Sequence, residues 1–172
     1  MTRLHVPLIR AAVFVCLLGL AACSSRDPGT LPSVLPATDR AEISFEEQRV
    51  PSDCSVFAQM LITIPPAVAA EQTRQAVEQF AADSGADLVL LGLARQSAIS
   101  PETVTFRSYG PRTPYPFATK WTGWKFGFAD WNKGGPLVDF GINHLSGDSA
   151  LFTIPIDVQA VLLSCPSLRS GS

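Results

Sequence analysis

His144 is the one histidine beyond residue 22, and Asp139, Ser146 and Asp148 stand close to it in the chain. A hydrolase would need a serine oxygen, this imidazole and a carboxylate in line, the imidazole taking the serine proton. The spacing argues against that chemistry. Ser146 is only two residues from His144, and no Gly-x-Ser-x-Gly elbow lifts a nucleophile off a strand end. His144 therefore reads as a solvent-exposed loop residue and Asp148, before Ser149, as a turn former; no catalytic residue is expected. Asp130, Asp139, Asp148 and Asp157 recur every nine residues, but Ala-Asp-Trp, Val-Asp-Phe, Gly-Asp-Ser and Ile-Asp-Val share no pattern, so the recurrence reads as coincidence. No phosphate loop, zinc spacing or EF-hand loop occurs, and neither a metal nor a cofactor is expected.

The cysteines carry the clearer chemistry. Cys23 closes Leu20-Ala21-Ala22-Cys23, directly after the apolar run of residues 11–20, with Arg3 and Arg10 upstream. This is the layout of an export signal, and its apolar part is too short to span roughly 30 Å of hydrocarbon as a helix. The segment resembles the lipobox of bacterial lipoproteins. That resemblance implies a diacylglyceryl group on the Cys23 thiol, cleavage before Cys23 and acylation of the new amino terminus, palmitate being a typical chain. It also implies a cell-envelope address. Ser24, where Asp commonly retains such proteins at the inner membrane, points to the outer membrane, with the domain facing the periplasm. The competing readings are an ordinary secretory signal that happens to hold a cysteine, and an uncleaved membrane helix. Each buried methylene contributes about 0.8 kcal/mol, and one chain binds only reversibly, so an anchor needs several chains on the same residue.

Loss of residues 1–22 would leave 150 residues, a common size for one domain, with formal charge 11 minus 15, or −4. Three lysines and no basic stripe argue against a nucleic-acid partner. Cys16 lies in the signal, which leaves Cys54 and Cys165 as a pair in an oxidising compartment, where a disulfide is the default. Its loop of roughly 110 residues corresponds to about 4–5 kcal/mol in the ideal chain-entropy case. Two unpaired buried thiols are the alternative; a metal site lacks nearby histidines.

These residues need elements to position them. Residues 24–38, rich in Pro and Ser, read as a disordered tether reaching about 45 Å at ~3.1 Å per residue. Residues 43–50 alternate weakly and suggest a short edge strand. In residues 56–64, Val56, Ala58, Met60, Ile62 and Ile64 share one strand face, and Phe57, Gln59, Leu61 and Thr63 the other. Pro65-Pro66 ends that strand. Residues 67–84 take helical spacing, with Gly85 placed to form a left-handed cap. Residues 87–93 form an unbroken apolar run, the mark of a central strand, and complete a βαβ-like unit. Residues 154–165 form the last strand, with Ile154, Ile156, Val158, Ala160 and Leu162 on one face and Pro155, Asp157 and Gln159 on the other. Cys54 opens the first strand and Cys165 ends the last, so a bridge pairs them antiparallel.

Ten of the 15 aromatic residues fall between Phe106 and Phe140, among Gly and Pro residues that break any period. Such a segment is either packed by its own rings as a satellite core or presents a binding platform. The platform candidates are Tyr109, Tyr115, Trp121, Trp124 and Trp131, with flat faces for sugars, peptides or a partner protein; contact with the membrane interface is a third reading. The order of tether, helix, Gly85-Ala86-Asp87-Leu88-Val89-Leu90-Leu91 and a last strand ending at Cys165 resembles small disulfide-stabilised envelope lipoproteins, such as the stress-sensor lipoprotein of the Rcs pathway. No sensing residue or partner carries over, because the aromatic segment has no counterpart there.

The expected organisation is a signal peptide (1–22), a lipidated N-terminus and tether (23–42) and one globular domain (43–172). The fold class is α+β: a small mixed sheet of three to five strands, one principal helix (67–84) and a long aromatic-rich insertion. The function expected is a non-enzymatic lipoprotein with a structural or interaction role, held to the membrane by its N-terminal lipid. An envelope protein or a glycan is the expected partner. The alternatives are a carbohydrate- or peptidoglycan-binding module using residues 106–140 and, remotely, a hydrolase.

Overall fold

A strand that is covered on both faces needs mostly apolar side chains, and from Ile156 to Leu163 the last strand of this chain buries only two polar ones, Asp157 and Gln159. The computed structural model describes residues 35–124, 128–147 and 152–169. The Leu20–Cys23 motif, the signal segment, the tether up to residue 34, Phe126 and Asp148 lie outside the described residues. In chain order the elements are β1 (Glu42–Ser44), β2 (Ser55–Ile64), α1 (Ala70–Asp83), β3 (Leu88–Gln96), β4 (Thr105–Gly110), β5 (Tyr115–Pro116), α2 (Phe117–Lys120), α3 (Ala129–Lys133), β6 (Leu137–Val138), β7 (Ile156–Ser164) and α4 (Pro166–Arg169). Short 3-10 turns cover Glu47–Arg49 and Ile142–Leu145.

The class is α+β, built on one mixed sheet of seven strands in the order β1-β3-β7-β2-β4, with β5 against β2 and β6 against β3. The expectation of three to five strands with one principal helix (67–84) is corrected: the described residues form seven strands and four helices. The additional pieces, β5, β6 and α2 to α4, are two to five residues long, too short to print a period in the sequence. The edge strand expected over 43–50 shrinks to β1, because residues 47–49 wind into a 3-10 turn. β2 and β3 both run antiparallel to β7, which lies between them. The βαβ-like unit is therefore split by the last strand.

Two bulges decide which side chains share a face. The β2–β7 register shifts between Val56 and Ala58, so Phe57 is an extra residue in β2. Phe57 consequently joins Ala58, Met60 and Ile62 on the first face, while Val56 joins Cys54, Leu90, Val161 and Leu163 on the second. The alternation expected across Val56 and Phe57 is broken there and holds beyond. A second shift, between Leu91 and Ala94, keeps Ala94 beside Val158 and sets Arg95 opposite Asp157.

The first face is closed by α1 through Val77, Ala81 and Ala82, and by Leu145 of the 3-10 turn. Each large side chain buried there contributes about 1.5–3 kcal/mol. Helix α1 starts only at Ala70, after the Pro65-Pro66 turn and Ala67 at φ 64°. It ends in a Schellman motif: Gly85 (φ 85°) donates its N–H to the Ala82 carbonyl, and Ala86 donates to that of Ala81.

Rings of the segment after β4 cover the second face. Phe117 is buried, Trp121 stacks on it at 5.4 Å, and Trp124 meets Trp121 edge-on at 5.3 Å. Trp124 lies against Gly92, where a Cβ would come within 2.1 Å of the indole. At one end of the sheet, Cys54 and Cys165 form a disulfide across a separation of 111 residues. Beside it the Asp87 carboxylate accepts the Cys165 N–H at 2.7 Å and the Arg169 guanidinium at 2.7 Å. Replacing both cysteines by serine is expected to lower stability by about 2–5 kcal/mol with the sheet retained. Urea unfolding with and without reductant checks this, and equal midpoints would show that the bridge contributes nothing.

Candidate functional site

The second face is not covered evenly. Beyond the tryptophans, toward the far ends of β2 and β7 from the disulfide, it opens into a cleft of about 480 Å³. Its floor is formed by Leu61 and Thr63 of β2 and Asp157 of β7. Thr105 and Arg107 of β4 line one side, Ser97 to Pro101 another, and Asp130 and Lys133 of α3 a third.

Helix α3 is only five residues long and depends on outside support. Arg95 supplies it. Its guanidinium donates to the carbonyls of Trp131 (2.6 Å), Gly134 (2.7 Å) and Gly135 (2.5 Å), and lies 5.2 Å from the Trp131 ring centroid. A cation at a helix C-terminus satisfies carbonyls that the helix leaves open. The approach requires Gly134, whose added Cβ would sit 2.7 Å from the Gln96 carbonyl oxygen. Trp131 is thereby buried to 1% exposure beneath the helix, and Asp130 and Lys133 are fixed at the cleft wall.

Asp130 is the hub of that wall. It accepts from the Tyr109 hydroxyl (2.6 Å), from the Arg107 guanidinium and from the Lys133 ammonium (3.2 Å). The Tyr109 hydrogen bond, with Arg107 and Lys133, holds its carboxyl down at about 2. Burial, with Asp130 alongside, pushes the Tyr109 phenol up to about 12, so it remains a donor at every physiological pH.

Asp157 differs. It is 3% exposed and accepts the Thr63 hydroxyl at 2.7 Å, with Ser97 as a second hydroxyl partner. Among the described residues it has no ion-pair partner. Its neighbour across the ladder, Arg95, turns its guanidinium to α3 instead. Burial pushes the Asp157 carboxyl above its ordinary range, against the pull of the Thr63 and Ser97 hydroxyls.

The residues singled out in the sequence are placed as follows. His144 is half-buried, accepts the Gly141 N–H on Nδ1 at 3.1 Å and stacks against Phe152. Ser146 bonds the Asn143 carbonyl, and Asp139 is exposed, so among the described residues no Ser-His-Asp set is brought together there. Of the aromatic candidates, Tyr109 stacks on Phe128 at 4.3 Å and bonds Asp130. The Tyr115 hydroxyl accepts from Gln59, Trp121 and Trp124 pack together half-buried, and Trp131 is enclosed under α3. Asp130 and Asp157, two of the four evenly spaced aspartates, both reach the cleft, one from a helix and one from a strand. The signal in the sequence was an acid inside a long, otherwise apolar strand that the fold buries from Ile156 to Leu163.

A carboxylate whose folded pKa is raised binds its proton more tightly in the folded state. Stability is therefore gained as pH falls through the folded value, and the gain is complete below the unfolded one. Asp157→Asn keeps an acceptor toward Thr63 and removes the buried charge. It is expected to raise Tm by a few degrees at pH 7, the gain fading toward pH 4. Calorimetry at both pH values checks this; a lowered Tm at pH 7 would show that the charge stabilises the fold.

No family model matches this chain, and neither a curated protein nor a solved structure matches it.

Proposed function

We propose that this chain is a lipid-anchored domain of the bacterial envelope that acts by binding, with the cleft over Asp157 as its working surface. The observation that carries the address is the Cys54–Cys165 bridge, since disulfides persist in oxidising compartments and are rare in the cytosol. Leu20-Ala21-Ala22-Cys23 supports the same address independently, because a cysteine at that place in an export signal is where lipid is attached. Leu35 packs against the core, and the Pro- and Ser-containing residues 24–34 lie between it and the cysteine proposed to carry lipid. Such a stretch holds the cleft clear of the membrane while keeping it near the surface.

Binding rather than covalent chemistry is the reading that the cleft favours. Its buried hydroxyls, Thr63 and Ser97, are engaged as donors to a carboxylate, and its cations are shared on Asp130. A fixed set of charges around a cavity of this size suits recognition of a small polar molecule. The role is that of a non-enzymatic interaction lipoprotein, oriented toward the periplasm from the outer membrane.

Expression with the native leader in a Gram-negative host, followed by fractionation and intact-mass measurement, tests the anchor. The protein is expected in the membrane fraction with a mass increased by its acyl chains, and Cys23→Ser is expected in the soluble periplasmic fraction. Unchanged partitioning of Cys23→Ser would contradict the proposal.

A further inference from the structure

We infer that the cleft receives a small zwitterion of the amino-acid or short-peptide type, its ammonium end at Asp157 and its carboxylate end at Lys133. This rests on the cleft being the working surface and specifies what it takes.

The charges are arranged as a dipole. At the floor, Asp157 is buried, oriented by two hydroxyls and, among the described residues, without an ion-pair partner, although Arg95 stands opposite it in the ladder. A buried carboxylate without a cation is costly, and a ligand ammonium with its three donors is the group that relieves the cost. At the wall the balance is reversed. Arg107 and Lys133 share the single carboxylate of Asp130, which leaves one positive charge in excess. Lys133 is the more available of the two, with its side chain 67% exposed against 39% for Arg107. An anionic group entering at the wall meets Lys133 without displacing the Arg107–Asp130–Tyr109 contacts. The same lining includes apolar side chains, Leu61, Ile99 and Val104, as suits a short hydrocarbon body. Charge complementarity of this kind selects a dipolar ligand over a simple cation or anion. A neutral sugar fits less well: the floor hydroxyls are already committed to Asp157, and among the described residues the one ring in the cleft lining, Phe106, is stacked on Phe80.

Calorimetric titration of the full-length protein in detergent tests this with three matched probes. Alanylalanine carries both charges, its methyl ester only the ammonium, and its N-acetyl derivative only the carboxylate. Alanylalanine is expected to bind saturably, the ester more weakly, and the N-acetyl compound not at all. Asp157→Asn is expected to weaken alanylalanine by about tenfold or more, the loss of a charged hydrogen bond in a buried site. Lys133→Ala is expected to bring alanylalanine down to the level of the ester. A melting curve of Asp157→Asn shows that its fold is intact, so a loss of binding is read at the site. Binding of alanylalanine that Asp157→Asn leaves unchanged would overturn the inference, as would silence of all three probes. N-acetyl binding that exceeds alanylalanine would also overturn it, while leaving the cleft a binding site and the envelope role standing. Membrane release of the Cys23→Ser protein is read separately, so the anchor fails or holds independently.

Discussion

The structure depends on β7 being covered on both faces. β7 pairs along nearly its whole length with β2 on one side and β3 on the other, and every residue from Ile156 to Leu163 is buried. Burial of that extent leaves room for a polar side chain only where a partner waits for it. Asp157 meets that condition through Thr63 across the ladder and Ser97 beyond the end of β3. The disulfide secures the other end of the same strand pair. It lies where Asp87, Arg169 and the Cys165 N–H converge, away from the cleft.

Positioning and stability divide cleanly over the two faces. On the α1 side, apolar packing and a Schellman cap give a conventional core. On the other side, the tryptophans cover the disulfide end, while α3, too short to stand alone, is held over the sheet by one guanidinium. That use of Arg95 has a consequence for Asp157. The cation opposite the buried acid in the ladder is spent on three carbonyls, and among the described residues the acid has no ion-pair partner. Folded proteins tolerate such a liability chiefly where a site requires it.

Much of this was legible in the sequence, within physical limits. The order of strand, helix and strand, the left-handed Gly85 and the pairing of first with last strand follow from period, glycine placement and the two cysteines. Counting inward from Cys54 and Cys165 sets Thr63 opposite Ile156; the bulge at Phe57 moves it to Asp157 and reverses the faces of Val56 and Phe57. A single extra residue is invisible to alternation, yet it determines which acid meets which hydroxyl. The short strands and helices between Tyr115 and Val138 are made by tertiary contacts to β2 and β3, not by local propensity, and leave no period to read. Arg95, Arg107 and Lys133 carry no local signature of their roles, because their partners lie twenty or more residues away, or, for Lys133, on a helix too short to recognise.

Titration of the Asp157 side-chain carboxyl by carbon-detected NMR, in the presence and absence of alanylalanine, tests the central claim most directly. The groups facing it are Thr63, Ser97, Arg107, Asp130 and Lys133, and only Asp130 titrates in the acidic range, well below it. The expected result is a midpoint above the ordinary aspartate range in the free protein, drawn downward when the zwitterion binds. An ordinary midpoint that the ligand does not move would contradict a buried, uncompensated acid waiting for an ammonium.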